Sequence, residues 1–428
     1  MPFRNRFSKA NQALRTAYYG WFVVAACNGV AFITWGVAIF NQGVFLGYYV
    51  TTFGWSPATL SIGPVLFHLW AGVAGVWVGR IVDRQGPRVV LIAGAVLIAL
   101  AMIGFGLVQE EWQILPVYLV LGSGFACIHT ITLGKIITRW FVRHRARAMA
   151  AATFGAGLGG AILVPLNAAV IEQYGVLSGG ITMAIVTLVT IIPLALFVMK
   201  EGPETLDLKP DGDDAAPENE PVKSPEAHAD SRDWKVSEAM RTVAFWGLSI
   251  CFALGMTAQG GYLVHQVLFL QSSLGLLGAA SVVTVTTIMG MVGRIAFLWI
   301  GPRLPVRWWT IIVFALQAMA FLILGLGDTV VWLTLGSALF GLTMGIIVIL
   351  QPLATAAVFG QASFGRVYGP IYMAIRVGAG AGPLIAGVLF EATGSYAMVW
   401  YVMAAALLAG VVCIPFAMAR PVDKPALT

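Results

Sequence analysis

The sequence predicts an all-α membrane protein of twelve transmembrane helices, arranged as two pseudo-symmetric halves of six. Three observations predict it. Hydrophobic residues make up 59% of the 428 and charged residues 10%, against about 45–50% and about 25% in soluble domains. Predominantly apolar stretches of about 20 residues, enough to cross a ~30 Å hydrocarbon core, recur along the whole chain. The two halves also repeat, with an offset of about 222–225 residues. "YGW" at 19–21 answers "FWG" at 245–247, and Gly155, Gly157 and Gly159 answer Gly378, Gly380 and Gly382.

In the first half, residues 1–200, spans are expected near 19–49, 58–80, 89–108, 113–137, 148–172 and 178–199. The first apolar run follows 17 polar and basic residues and is too long for a signal-peptide core, so it reads as an uncleaved span. Residues 201–240 read as a cytoplasmic, disordered linker. The stretch 201–238 is rich in Pro, Ala and acids and holds 12 of the 19 acidic residues, a composition that cannot bury a core. In the second half, residues 241–428, spans are expected near 244–270, 277–300, 309–326, 330–352, 367–390 and 395–418.

Charge fixes an expected orientation. If the N-terminus is cytoplasmic, 23 of the 25 Lys and Arg fall in the tails, the linker and the loops of that side, and none in a loop of the other. The opposite edge carries acids, among them Glu110, Glu111, Glu172, Asp328 and Glu391. This split places both termini in the cytoplasm of a plasma (inner) membrane. It also explains the net charge of +6 without nucleic acid, which is excluded as a partner. The four cysteines lie in apolar spans without metal-ligand spacing and read as small hydrophobes.

The loop after the second span reads "GRIVDRQGPR" (79–88). It resembles the signature of the major facilitator superfamily, G-x-x-x-D-R-x-G-x-R, which implies the major facilitator fold and alternating access. Gly79, Asp83, Arg84 and Arg88 are then gating residues. Asp83 and its arginines can pair with helix ends of the other half in one state and release them in the other. The second-half copy, "GPRLPVR" (301–307), has Pro305 where the aspartate would stand, so the latch is expected to be asymmetric. A second stretch, "RWFVRHRARAMAAATFGAGLGG" (139–160), is similar to the monocarboxylate transporter and oxalate–formate antiporter group, as are "FGRVYG" (364–369) and "YYGWFVV".

Two cations remain outside the loops. Arg294 stands in "IMGMVGRIAFLWI" and Arg376 in "IYMAIRVGAGAG". An arginine at a helix centre costs roughly 2.5–3.5 kcal/mol on insertion scales, so each must face a watery cavity or a partner. No Asp or Glu lies deep in any span, and an anionic substrate would supply the missing charge. The guanidinium fork matches a carboxylate. The blander readings are snorkelling for Arg294 and backbone-carbonyl pairing for Arg376. The resemblance implies the same roles, an eighth-span arginine for the substrate carboxylate and an eleventh-span cation beside it. It also marks two departures from proton-coupled animal carriers: Gly290 stands where they have an aspartate, and the first span has no lysine.

His129 and His265 are the expected proton carriers, favoured over His68 because the resemblance implies that spans one, four, seven and ten line the cavity. The alternative for each is a hydrogen-bonded core histidine. Tyr262, Gln259 and Trp35 are candidate substrate contacts, although packing and interhelical bonding explain such residues as well. "GAGLGG" (155–160) has no preceding strand and reads as helix packing, and no nucleotide, metal or nucleophile motif points to an enzyme or a cofactor. The expected function is secondary transport of a small organic anion, a monocarboxylate, by proton-coupled uptake in a monomer. Carboxylate exchange is the alternative; a drug exporter and a non-transporting sensor are disfavoured.

Overall fold

The computed structural model describes residues 18–128, 130–200, 202–212, 234–360 and 363–418. Eleven helical stretches among them are long and apolar enough to cross a membrane. One, Val243–Ile300, has 58 residues. Unbroken, it would run about 87 Å, nearly three times a ~30 Å hydrocarbon core. Gly275 breaks it at φ 68°, ψ 174°, a backbone setting that glycine tolerates. The stretch is therefore two spans, and the total is the expected twelve.

In chain order the spans are α1 (Gly20–Phe53), α2 (Pro57–Gln85), α3 (Pro87–Leu107) and α4 (Glu111–Trp140, in which His129 lies outside the described residues). Next come α5 (Arg145–Thr153 continuing as Gly155–Tyr174) and α6 (Val176–Val198). The second half has α7 (243–274), α8 (276–300), α9 (Val306–Leu326), α10 (Val330–Phe359), α11 (Phe364–Thr393) and α12 (Tyr396–Ala417). Their boundaries follow local chemistry. Ser56 caps α2 by accepting from Thr59 N at 3.0 Å, with Pro57 at the first helical position. Left-handed Gly54 and Gly394 end α1 and α11. Within α1 the helix widens to a π-helical turn over Gly36–Phe40, and the Asn41 amide donates to Gly36 O at 2.8 Å across it.

Close helix packing repeats between halves. Side chains added at Gly155 and Gly159 of α5 would strike the backbone carbonyls of Asn28 and Phe32 in α1. At Gly378 and Gly382 of α11 they would strike those of Ala253 and Thr257 in α7. These pairs stand at matching positions of the internal repeat, so the same glycine crossing builds both halves. The middle glycine of each triplet faces elsewhere. Gly157 meets Met291 and Thr287 of α8, and Gly380 meets Val65 and His68 of α2. Each looks across to the opposite half.

At the end of the bundle that carries the basic loops, the first half is tied to itself. Tyr18 OH donates to Trp140 O at 2.8 Å, Tyr19 OH to Val198 O at 2.9 Å and Arg88 Nε to Met199 O at 2.6 Å. Burial, with the Asp211 carboxylate as the next cause, pushes the Tyr18 phenol up to about 12, so it stays a donor at neutral pH. The 201–240 linker lies largely outside the described residues, but both of its flanks dock. Asp211 accepts backbone N–H bonds from Val142, Arg143 and His144 at 2.7–3.1 Å, an anion in a nest of amides. At the far flank, Trp234 N donates to Ser363 Oγ at 2.6 Å and its ring meets Phe359 edge-on.

Candidate functional site

The two halves touch over part of their height only. At the acidic end, Glu391 at the close of α11 accepts from Ser56 Oγ and from Ala58 N (3.1 Å) at the start of α2. Its carboxylate thus sits at a helix N-terminus, where backbone amides and the macrodipole favour negative charge. Gln271 of α7 donates to Gly47 O of α1 at 3.1 Å. Deeper in, His265 Nε2 lies 3.0 Å from Ser61 Oγ of α2 and 3.0 Å from Pro383 O, and its Nδ1 lies 3.0 Å from Tyr396 OH. Thr284 Oγ1 of α8 donates to Ala161 O of α5 at 2.9 Å. Next come the Gly157–Met291 and Gly380–His68 approaches. Beyond that level the helices part. Side chains added at Gly72 and Gly79 on α2, or at Gly365 and Gly369 on α11, would meet nothing within 4 Å. Among the described residues, the contacts between the halves thus gather toward the acidic end, and these four glycines face open space toward the basic end.

Both unexplained arginines stand where the parting begins. Arg294 follows Met291 by one turn, and Arg376 precedes Gly380 by one turn; on antiparallel helices both steps lead toward the basic end. Each is half-buried. The stem and Nε of Arg294 lie over Gly345 of α10, at 2.8 Å from where that glycine's Cβ would be, so a glycine is what admits the side chain. The Arg376 guanidinium carbon sits 5.9 Å from the Tyr372 ring centre, a cation–π placement. Among the described residues neither guanidinium has an ion-pair partner, whereas Asp83 is paired with Lys135. Two permanent charges thus stand at the level where the halves part, with no described acid paired to them.

The other expected residues are dispersed. Tyr262 is buried within the second half, its OH 2.6 Å from Ser337 Oγ and its ring packed on Phe321, Phe340 and Trp400. Gln259 donates to Met344 O of α10 at 3.3 Å. Trp35 packs on Phe40 beside the π-helical turn. His265 belongs to the acidic-end closure, and His129 is outside the described residues. Among the gating residues, Asp83 pairs with Lys135 inside its own half, Arg88 holds the end of α6, and Gly79 and Arg84 border the parted end. The structure adds Met291, which the sequence did not single out, and gives places to Glu391, read only as a rim acid and now bridging the halves, and to His68, read as the less favoured histidine and now opposite Gly380 across the boundary.

The Major Facilitator Superfamily model matches residues 22–372. The chain belongs to that superfamily. Superfamily membership makes it a multi-pass membrane transporter of a small molecule rather than a member of an enzyme family. Among relatives, monocarboxylate transporter 13 of Bos taurus is 27% identical over 435 residues, covering 95% of this chain and 92% of that one. Monocarboxylate transporter 12 of Rattus norvegicus is 24% identical over 436 residues, covering 93% and 85%. Two solved structures share the superfamily fold. A point mutant of the nucleoside transporter NupG aligns with TM-score 0.71 at 14% identity, over 94% of this chain and all of that one. A bacterial homologue of the human lysosomal transporter Spinster, described as inward-facing and unoccupied, aligns with TM-score 0.66 at 15% identity, over 94% and 96%.

Proposed function

We propose that this chain is a secondary active carrier of a small organic anion, a monocarboxylate, with Arg294 as the principal carboxylate ligand and Arg376 as the second. The observation that carries this reading is the pair of half-buried guanidinium groups at the level where the halves part, with no acid paired to them among the described residues. A carboxylate binding there restores neutrality at the level where the halves meet, so that either end can close around it. The printed names of the relatives support the same substrate class. By the positive-inside rule the basic end lies in the cytoplasm of the plasma (inner) membrane with both termini, which makes the parted state inward-facing. Transport runs as proton-coupled uptake by a monomer. One observation favours exchange instead: two arginines without a buried acid need an anion on both legs of the cycle. A drug exporter for cations is disfavoured, because a cation would meet two like charges.

Purified protein in liposomes, offered labelled mono- and dicarboxylates with and without a pH gradient or internal anion, separates these. Uptake of a carboxylate that a pH gradient concentrates is the expected result. Accumulation only against an internal anion selects the exchanger, and no carboxylate flux under any condition removes the reading.

A further inference from the structure

Gradient-driven uptake needs a group that binds a proton, and the obvious acid is missing from the spans. His265 is fully engaged in the acidic-end closure, with partners on both ring nitrogens. His68 is arranged differently. Its Nδ1 is buried without a hydrogen-bond partner among the described residues. Its ring stands edge-on to Phe67 at 5.0 Å, and its Cβ lies 3.3 Å from where a Cβ of Gly380 would be, across the boundary between the halves. One turn from Gly380, on the same face of α11, is Arg376.

Among the described residues, the other charged groups around α2 lie toward the two ends. Of the elements packed on α2, α4 brings Lys135, which is paired with Asp83 at the basic end, and His129, which is outside the described residues. α3 brings Arg88, bonded to Met199 O at the same end. The last turns of α1 bring Tyr48 and Tyr49 at the acidic end, and α11 brings Glu391 at that end, Tyr372 beneath Arg376, and Tyr368 and Arg366 toward the basic end. Among the described residues, Arg376 is the cation one turn from the Gly380–His68 approach.

We propose that His68 carries the coupling proton, and that Arg376 makes its loading conditional on the anion. This rests on the anion-carrier reading above. With the guanidinium bare, a proton on Nδ1 would set two positive charges side by side in a low-dielectric boundary, where Coulomb energies far exceed those in water. A carboxylate on Arg376 cancels that repulsion. By reciprocity the proton strengthens anion binding as much as the anion strengthens proton binding. The proton comes from water on the loading side, rides on Nδ1, and returns to water on the far side when the anion leaves. Anion and proton cross together, and no buried acid is required. The apolar boundary also disfavours loading either charge alone.

The test uses the full chain, purified, with pyruvate and oxalate as probes; both stay ionised from pH 5.5 to 8.5, so any titration belongs to the protein. Affinity is measured across that range, together with proton uptake on binding in weakly buffered solution. Wild type should bind a probe more weakly as pH rises, approaching roughly tenfold per pH unit, and take up about one proton per anion. His68→Gln should bind with an affinity independent of pH and take up no proton, whereas His265→Gln should keep the pH slope. His68→Asn serves where the glutamine variant is not monodisperse on gel filtration. A pH slope or proton uptake that survives in either His68 variant overturns the proposal. So does wild type that binds without taking up a proton, an outcome that leaves the anion carrier standing. Wild type that binds neither probe overturns the carboxylate reading and this proposal with it.

Discussion

Arg294 lies against Gly345 with its fork unoccupied by any described acid, and that placement sets what each substitution should do. Arg294→Lys keeps the charge and loses the planar fork, so it should weaken carboxylate binding yet retain some transport. Arg294→Ala leaves a bound carboxylate without its main partner, a loss of about 2–5 kcal/mol for a buried, hydrogen-bonded charge pair. Binding should fall roughly 30-fold to several thousand-fold. The protein should still insert and elute as a single species, because a costly charge is removed rather than a packing group. Arg376→Ala should nearly abolish dicarboxylate binding while a monocarboxylate keeps measurable affinity through Arg294. Titration calorimetry on the purified variants decides; carboxylate binding as tight in Arg294→Ala as in wild type would reduce that guanidinium to a snorkelling side chain.

The glycine triplets show how far the sequence can be read at the level of helices. The repeat of Gly155, Gly157 and Gly159 by Gly378, Gly380 and Gly382 was visible in the chain, and so was their use in close packing. What each glycine packs against was not, because periodicity gives a face of a helix and never the helix that faces it. His68 suffered from the same gap. Ala58, Ser61, Val65, His68 and Gly72 form a stripe of three- and four-residue steps on α2, and Gly387, Pro383, Gly380 and Arg376 form another on α11. Only the rotation of the two helices in the bundle shows that the stripes meet. Tyr262 and Gln259 illustrate the converse: polar side chains in a span that read as ligands are engaged by Ser337 Oγ and Met344 O inside their own half. The buried arginines were legible because their cost needs no partner to be recognised. The glycines now separate two effects. Gly382→Val drives a side chain into the α7 backbone and should cost about 1–3 kcal/mol of stability, read as a lower thermal midpoint in detergent. Gly380→Ala crowds His68 across the halves instead, and should change turnover with little change in that midpoint. A Gly382→Val protein as stable as wild type would show that this helix crossing is not limiting.

In the whole molecule, the hydrogen bonds described between halves lie on the acidic side of the two arginines or near their level, while the first half is tied to itself at the basic end. Such a distribution suits rigid halves that rock about a central contact, with one set of bonds given up as another forms. The docked flanks of the linker fit the same picture. Asp211 holds the loop before α5 and Trp234 the loop before α11, the two equivalent corners of the repeat. Between Gly212 and Trp234 run 21 residues outside the described chain, with a reach of roughly 70–75 Å at full extension, so this tie sets no limit on the rocking. The charges on the two rims do impose an asymmetry, and it is one of rate. An anion approaching the basic mouth is drawn in by a field of cations, whereas at the acidic mouth Glu110, Glu111 and Glu391 repel it. A carrier with one binding site should therefore behave as a rectifier at low ionic strength. Its apparent KM should be several-fold lower from the basic side, and the difference should shrink as added salt shortens the screening length from ~30 Å at 0.01 M to about 8 Å at 0.15 M. Vesicles of defined orientation measure this directly: equal, salt-indifferent KM values from both faces would mean that the rims never reach the anion, and a gap that closes with salt would make the protein's surface charge a valve in series with its gate.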